Sequence, residues 1–359
     1  MASIIGSTLI IFKNYCFIYR GDAMVWDIYA SVRARIVYVG RLSRNIVEDM
    51  LAAESASDAV SFLRETPYYQ YIRGVPIENQ ELLELSLYLG LYRSISPLLV
   101  IIDKDYRSIA EHSLLFLENR IISSILISLA VGEIPSLDLK ILEGTRLGEF
   151  YKVAIEDRSF MKALDHLKER GFSNFIDVYN ILSKYIETRS AVSIASDIGA
   201  IKDLSEIIRI YPSLSKLICP EIDSILIHAA MRISRNKARE YISPAELSEI
   251  ACHISKTEIE DLYNYREEEN TLNILRKIYG AQLVQKGLEE SLINIASHVR
   301  KTVRKYLEAT LSSYPFDPST VWAATRIRVM DIEDIIAIIN GKKAGLSVEA
   351  IKKTLSISI

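Results

Sequence analysis

Glycine and proline are scarce in this 359-residue chain, 14 and 9 respectively, against usages of roughly 7% and 5% in soluble domains. So little punctuation argues against an all-β fold, whose many turns draw on both residues. It also weakens a doubly wound α/β enzyme, where crossover turns and a phosphate loop need several glycines. Glutamine occurs 4 times, whereas isoleucine occurs 52 times. Neither sign of charge is in excess: a net charge of -3 and a pI near 6.1 provide no basic field for counterion release, which argues against nucleic acid as a partner. The three cysteines, Cys16, Cys219 and Cys252, are far apart and form no C-x-x-C. That pattern predicts buried thiols in a reducing compartment rather than a disulfide frame or a zinc site, so the chain reads as cytosolic. Low glutamine with abundant isoleucine, lysine and glutamate points to a thermophilic source. What is plentiful is apolar material, 49% of the chain against 25% charged, enough for one large core or several in series.

Long apolar runs are absent too. Ile4 to Ile18 is apolar but broken at Lys13 and Asn14, short of the roughly 20 residues that span a bilayer. The charges Lys13 and Arg20 follow the run, the reverse of a signal peptide. Because Met24 opens a helical pattern, residues 1–23 read as an extension or a start placed too early.

From Met24 onward apolar residues recur with helical spacing. Ile332, Ile335, Ile336 and Ile339 fall at i, i+3, i+4 and i+7, predicting one buried stripe. Asp317-Pro318 reads as the N-cap and first residue of that helix, and Gly341 as its left-handed stop, with a short last helix from Ser347. Asp334 lies off the stripe, so its replacement by alanine is expected to cost no more than about 0.5 kcal/mol, as at ordinary surface sites. Ser243-Pro244-Ala245-Glu246 and Ser255-Lys256-Thr257-Glu258 have the form of capping boxes. The expected fold class is all-α.

The pattern recurs. Ser55, Ala59 and Leu63 reappear as Ser159, Ala163 and Leu167, 104 residues on. An acid opening an isoleucine-rich helix occurs at Glu118-Asn119, Asp223-Ser224 and Glu333-Asp334, at steps of 105 and 110 residues. Three similar helical units of roughly 105 residues are therefore expected: 24–134, 135–243 and 244–359, after the extension 1–23. The breaks at Gly132-Glu133-Ile134-Pro135-Ser136 and Tyr241-Ile242-Ser243-Pro244 are too short to be flexible linkers, so the units should pack directly on one another.

Chemistry is hard to find. His112, His166, His228, His253 and His298 never approach metal-ligand spacing and read as core or surface residues. Cys252 and His253 are adjacent, but neighbours on a helix diverge by about 100° and do not readily face one ion. Glycines approach phosphate-loop spacing only at Gly144/Gly148 and Gly341/Gly345, without the upstream glycine such a loop needs, and no G-x-S-x-G elbow exists. Glu267-Glu268-Glu269, Glu289-Glu290 and Asp331-Glu333-Asp334 read as solvated helix faces rather than paired catalytic carboxylates. Arg300-Lys301 and Arg304-Lys305 form two basic pairs at i and i+4, a solvated face or a contact for an acidic protein, and Arg33 and Arg35 could serve either way. Tyr68, Tyr69 and Tyr71 fit core packing better than base stacking, which would need surrounding positive charge. No catalytic, cofactor-binding or metal-binding residue is assigned.

Two segments carry a family resemblance. The stretch Tyr314-Pro315-Phe316-Asp317-Pro318-Ser319-Thr320-Val321, followed by Asp331-Ile332-Glu333-Asp334-Ile335-Ile336-Ala337-Ile338-Ile339-Asn340-Gly341-Lys342-Lys343-Ala344-Gly345-Leu346-Ser347, resembles the ending of the C subunit of archaeal A-type and bacterial V-type ATP synthases. Relatives of that family include the d subunit of eukaryotic V-type ATPases. Tyr29-Ala30-Ser31-Val32-Arg33-Ala34-Arg35, with Leu51, Ser57, Phe62, Leu63, Thr66 and Tyr68, resembles the family's beginning. Asp331 and Asp334 depart from its usual glutamate and asparagine around the last isoleucine helix. The resemblance implies a cup or funnel of three helical units, without catalysis or cofactor. It would sit peripherally on the cytoplasmic face of the membrane, on the proteolipid ring, and hold the central shaft of a rotary enzyme that couples ATP to proton or sodium transport. Membrane contact would pass through the ring. The competing reading is a soluble helical-repeat scaffold, although such arrays usually have periods of about 34 to 47 residues.

Overall fold

The computed structural model describes residues 9–12, 15–18, 21–99, 104–132, 146–264, 267–285, 287–313, 317 and 319–359. Strands Leu9–Phe12 and Tyr15–Ile18 pair antiparallel, with Leu9 opposite Ile18 and Phe12 opposite Tyr15, so the interrupted apolar run contains two paired strands. A helix follows at Gly21–Val39, three residues ahead of Met24. From there the described residues form helices joined by turns, with no further strand among them, and the body is all-α. The break at 133–136, together with Gly144, Tyr314 to Phe316 and Pro318, lies outside the described residues.

Helix starts follow the local chemistry. Ser43, Ser55, Ser159, Ser243 and Ser347 are N-caps whose Oγ accepts from the amide three residues on at 3.1 to 3.4 Å, an arrangement worth about 1 kcal/mol per cap. At Ser255 the box is reciprocal: the Glu258 amide donates to Ser255 Oγ at 3.3 Å, and the Ser255 amide donates to Glu258 Oε2 at 2.8 Å. Ser55 and Ser159 play one local role, since Ala59, Leu63, Ala163 and Leu167 are all fully buried beyond their caps. A second likeness is not visible in the linear pattern. Short helices Pro244–Ile250 and Val348–Thr354 are each followed by two amides that donate to a carboxylate on the preceding long helix. Cys252 and His253 donate to Asp223 at 2.9 and 3.0 Å, and Ser356 and Ile357 donate to Asp334 at 2.8 and 3.2 Å.

The helix Ser319–Lys343 is the centre of the fold. It packs against Gly21–Val39, Gln80–Leu99, Lys104–Ser113 and Leu288–Ser312, among others. Asp317 caps it, with Oδ1 accepting from the Ser319 amide at 2.8 Å. The expected single stripe is too modest a description. Ile332, Ile335 and Ile339 are fully buried, and so are Trp322, Ile327, Val329 and Ile338 on other sides, while Ile336 is half-buried. A helix surrounded by other helices buries every face, not one. Nor is Gly341 the stop. The left-handed residue is Gly345, φ 68°, and the Leu346 amide donates to the Gly341 carbonyl while the Gly345 amide donates to Lys342, which is a Schellman closure. Gly341 is within the helix, where an added Cβ would stand 2.6 Å from Ile351 Cγ1.

A tighter approach joins Ser173–Leu182 to Thr188–Ile210. A Cβ on Gly199 would lie 2.9 Å from the backbone N and Cα of Phe175, which cannot swing aside as a side chain can. Gly199→Ala is therefore expected to destabilise the chain by about 1–3 kcal/mol through overpacking, outweighing the gain of about 1 kcal/mol in helix propensity. Urea denaturation checks this, and a variant at least as stable as the parent would contradict the contact.

Candidate functional site

The structure separates the sequence candidates into solvated and buried sets. Glu267, Glu268, Glu269, Glu289 and Glu290 are exposed, as their runs imply. Asp331, Glu333 and Asp334 are not a solvated face. Asp331 and Asp334 are fully buried, and the Glu333 side chain is 18% exposed. Asp331 Oδ2 accepts from the Leu42 amide and from Tyr68 Oη, both at 2.7 Å, while its Oδ1 accepts from Arg304 Nη2 at 2.8 Å. Asp334 accepts from Arg300 Nη2 at 2.8 Å, from Ser356 Oγ at 2.6 Å and from the two amides already named. Burial raises the Asp334 carboxyl pKa even though Arg300, Ser356 and Arg304 pull it down. The surface expectation for Asp334 is thereby overturned: its oxygens organise the chain's last turn.

The basic pairs are corrected by the same contacts. Arg304 is buried and Arg300 is 23% exposed, so both spend their charge on this chain's own acids. Two antiparallel helices, Leu288–Ser312 and Ser319–Lys343, align Arg300 with Asp334 and Arg304 with Asp331. One signal was available: bases at i and i+4 on one helix face acids at i and i+3 on the next. Tyr68 is in the core, as expected. Its hydroxyl donates to Asp331 and accepts from Arg328 Nε at 2.6 Å, and Arg328 Nη1 also donates to the Val37 carbonyl at 2.9 Å. Gly40 gives it room, since a Cβ there would lie 2.3 Å from Arg328 Nη1 and displace the guanidinium.

The cysteine expectation fails. Cys219 and Cys252 form a disulfide with Cα atoms 5.5 Å apart. Cys219 is on the helix Ser215–Ser234, and the Asp223 carboxylate of that helix draws the Cys252–His253 turn onto it. Separation along the chain therefore misjudged distance, and the cysteine count carries no argument for a reducing compartment. His253 Nδ1 is 2.9 Å from Asp223 Oδ2 and His112 Nδ1 is 2.6 Å from the Ser108 carbonyl. Among the described residues no group of three His, Cys, Asp or Glu side chains could hold a metal ion.

What the sequence did not show is a depression of about 500 Å³. Its walls come from six helices: Glu84 and Tyr88 on Gln80–Leu99, Phe116, Arg120 and Ser124 on Leu115–Ala130, Ser193 on Thr188–Ile210, Glu221 and His228 on Ser215–Ser234, Arg300 on Leu288–Ser312, and Arg326 and Glu333 on Ser319–Lys343. Arg326 is the joint. It pairs bidentately with Glu221, Nη2 to Oε1 at 2.6 Å and Nε to Oε2 at 3.0 Å, reaches Glu333 at 3.3 Å, and lies 4.7 Å over the Phe116 ring. Phe116 and Glu221, 105 residues apart, and Arg326, 105 further on, come from three different helices, and the first two both meet the Arg326 guanidinium.

Burial alone would raise the Glu333 carboxyl, but Arg326, Arg300 and Arg120 hold it below the usual carboxylate range. Burial likewise opposes the charge on Arg120, yet Asp197, Tyr88 and Glu333 keep its guanidinium firmly protonated. The Arg120 side chain is nonetheless exposed, because the depression admits solvent within walls of protein. Three arginines and three glutamates, balanced and mostly paired, make a polar wall. His228 differs: burial lowers its pKa, reinforced by Arg232 and only partly offset by Asp197. A lowered histidine pKa means that the folded state resists protonation, so the unfolded state binds more protons below about pH 6.5 and stability falls as pH drops through that window. His228→Gln is expected to flatten this part of the stability curve when urea midpoints at pH 7.5 and 5.5 are compared; an unchanged slope would show that His228 does not titrate there.

No helix among the described residues is long and apolar enough to cross a membrane. A search of curated proteins finds no significant match. The family described as ATP synthase (C/AC39) subunit matches residues 30–354, spanning the capped helices, the buried Asp331–Arg304 and Asp334–Arg300 pairs and every wall of the depression. On that match the chain belongs to the ATP synthase (C/AC39) subunit family, a non-catalytic stalk component of the A/V-type complex.

Proposed function

We propose that this protein is the adaptor that couples the rotating central shaft to the membrane proteolipid ring, sitting peripherally on the cytoplasmic face and receiving the foot of the shaft in the depression. The observation that carries this reading is the depression itself, a concave polar site walled by helices from residues 80–336. We take the body as three units, 24–134, 135–243 and 244–359, supported by the paired caps, the paired carboxylate-held turns and the meeting of Phe116, Glu221 and Arg326. An adaptor of this kind performs no chemistry; it must pass torque between two interfaces without yielding. Interiors packed like organic crystals have low compressibility and transmit strain, and the buried Arg–carboxylate joints add fixed geometry where helices cross.

The test is to fill the depression while sparing the core. Ser124 lines it and is half-buried, so Ser124→Trp should abolish co-purification with the shaft and uncouple ATP hydrolysis from ion movement in the reassembled enzyme. Hydrolysis by the isolated catalytic head and attachment to the ring should persist. Full coupling with the depression filled would refute the reading.

A further inference from the structure

A second concavity, of about 520 Å³, opens on the outer side of the buried Arg304–Asp331 pair. Its rim is basic in a chain whose net charge is -3. Arg41 and Arg44 reach it from the turn and helix start after the first helix, and Lys301 and Lys305 from Leu288–Ser312. Arg304 belongs to the floor and is already committed to Asp331, Asp334 and Glu308, the last being the acid on this rim. Arg44 is held by Glu48 at 2.9 Å. Arg41, whose guanidinium stacks 4.2 Å from the Tyr38 ring, has no carboxylate within ion-pair distance among the described residues, and neither have Lys301 and Lys305. Three uncompensated cations from segments some 260 residues apart in the sequence thus converge on one pocket.

Two further features favour an anion. The helix Arg44–Ala52 begins at the basin with Ser43 as its cap and no acidic residue in its first turn, leaving the positive end of its dipole uncompensated. Ser43, Thr302 and Ser358 line the same space with hydroxyls, while the Ser356 hydroxyl is already spent on Asp334. The floor is fixed from beneath, because Asp331 holds the Leu42 amide and Asp334 holds the Ser356 and Ile357 amides. We propose that this basin binds a multiply charged, phosphate-bearing anion. Phosphate has several strong acceptor oxygens in a small volume, matching cations and hydroxyls that line one pocket. An acidic polypeptide would instead need cations spread along a groove.

The experiment uses the full chain and titrates pyrophosphate calorimetrically at constant ionic strength, with flotation on phosphatidylcholine vesicles with and without phosphatidylglycerol. Saturable binding is expected, weakened at least tenfold by Lys301→Ala/Lys305→Ala and also weakened by Arg41→Ala on the other segment, but unchanged by Lys152→Ala, an exposed lysine elsewhere. Melting curves confirm that each variant is folded. Binding of pyrophosphate alone identifies a free phosphate compound as the ligand; flotation that needs phosphatidylglycerol and is lost in the double variant identifies a lipid headgroup. Either supports the site. Pyrophosphate heats no greater than sodium chloride gives, equal binding by the double variant, or capture of an oligoglutamate peptide without pyrophosphate would overturn it.

Discussion

Replacing Asp331 by alanine is expected to destabilise the chain by about 3–5 kcal/mol, the cost of removing one partner from a buried ion pair. Three groups lose their acceptor at once. Arg304 is left buried with an incompletely balanced charge, and the Leu42 amide and the Tyr68 hydroxyl are left without their carboxylate. Because Leu42 and Tyr68 are on the first segment and Arg304 and Asp331 on the last, the loss should appear as weaker cohesion between the two ends of the chain. Asp331→Asn, which keeps shape and an acceptor oxygen but not charge, should lose less. Urea denaturation at pH 7 measures both, and a change of no more than about 0.5 kcal/mol for the alanine variant, the level of ordinary surface positions, would contradict the observed burial.

Arg326→Met is the second large effect, again about 3–5 kcal/mol, because it strands Glu221, 5% exposed, in the wall of the depression. Removing both partners should be much milder than removing either, since a buried ion pair exchanged for apolar residues of similar size is often neutral. Arg326→Met with Glu221→Leu is therefore expected to recover most of the loss, giving a strongly non-additive double-mutant cycle. Additive effects would mean that the two side chains do not act on each other. The doubly apolar wall also separates stability from partner recognition: a chain that melts like the parent but no longer captures the shaft would assign the polar wall to docking.

The helical body was legible from Met24 onward because helix formation is local. A serine Oγ reaches an amide three residues away, and an isoleucine period of i, i+3, i+4 needs no knowledge of the rest of the chain. The caps at Ser243, Ser255 and Ser347, the start at Asp317 and the common role of Ser55 and Ser159 depend on nothing more distant. The family likeness at both ends drew on the same kind of contiguous pattern. Local rules failed where a choice depended on a distant neighbour. Gly341 and Gly345 are both plausible stops by composition, and contact with Ile351 is what keeps Gly341 inside the helix.

By itself, then, the sequence determined an all-α body, most of its helix starts, and its membership of a stalk-subunit family, because those properties reside in short-range hydrogen bonding and in patterns that run along the chain. Tertiary structure alone decided which charges are buried. Asp334 and Glu269 are both acids in helices, yet one is sealed beneath Arg300 and Ser356 while the other faces water. It also decided that Cys219 meets Cys252 and that Arg326 closes on Glu221 beneath Phe116. The physical reason is that burial, ion pairing and the shape of a cavity are set by what packs against a residue from elsewhere in the chain, and here the decisive partners lie 22 to 289 residues away.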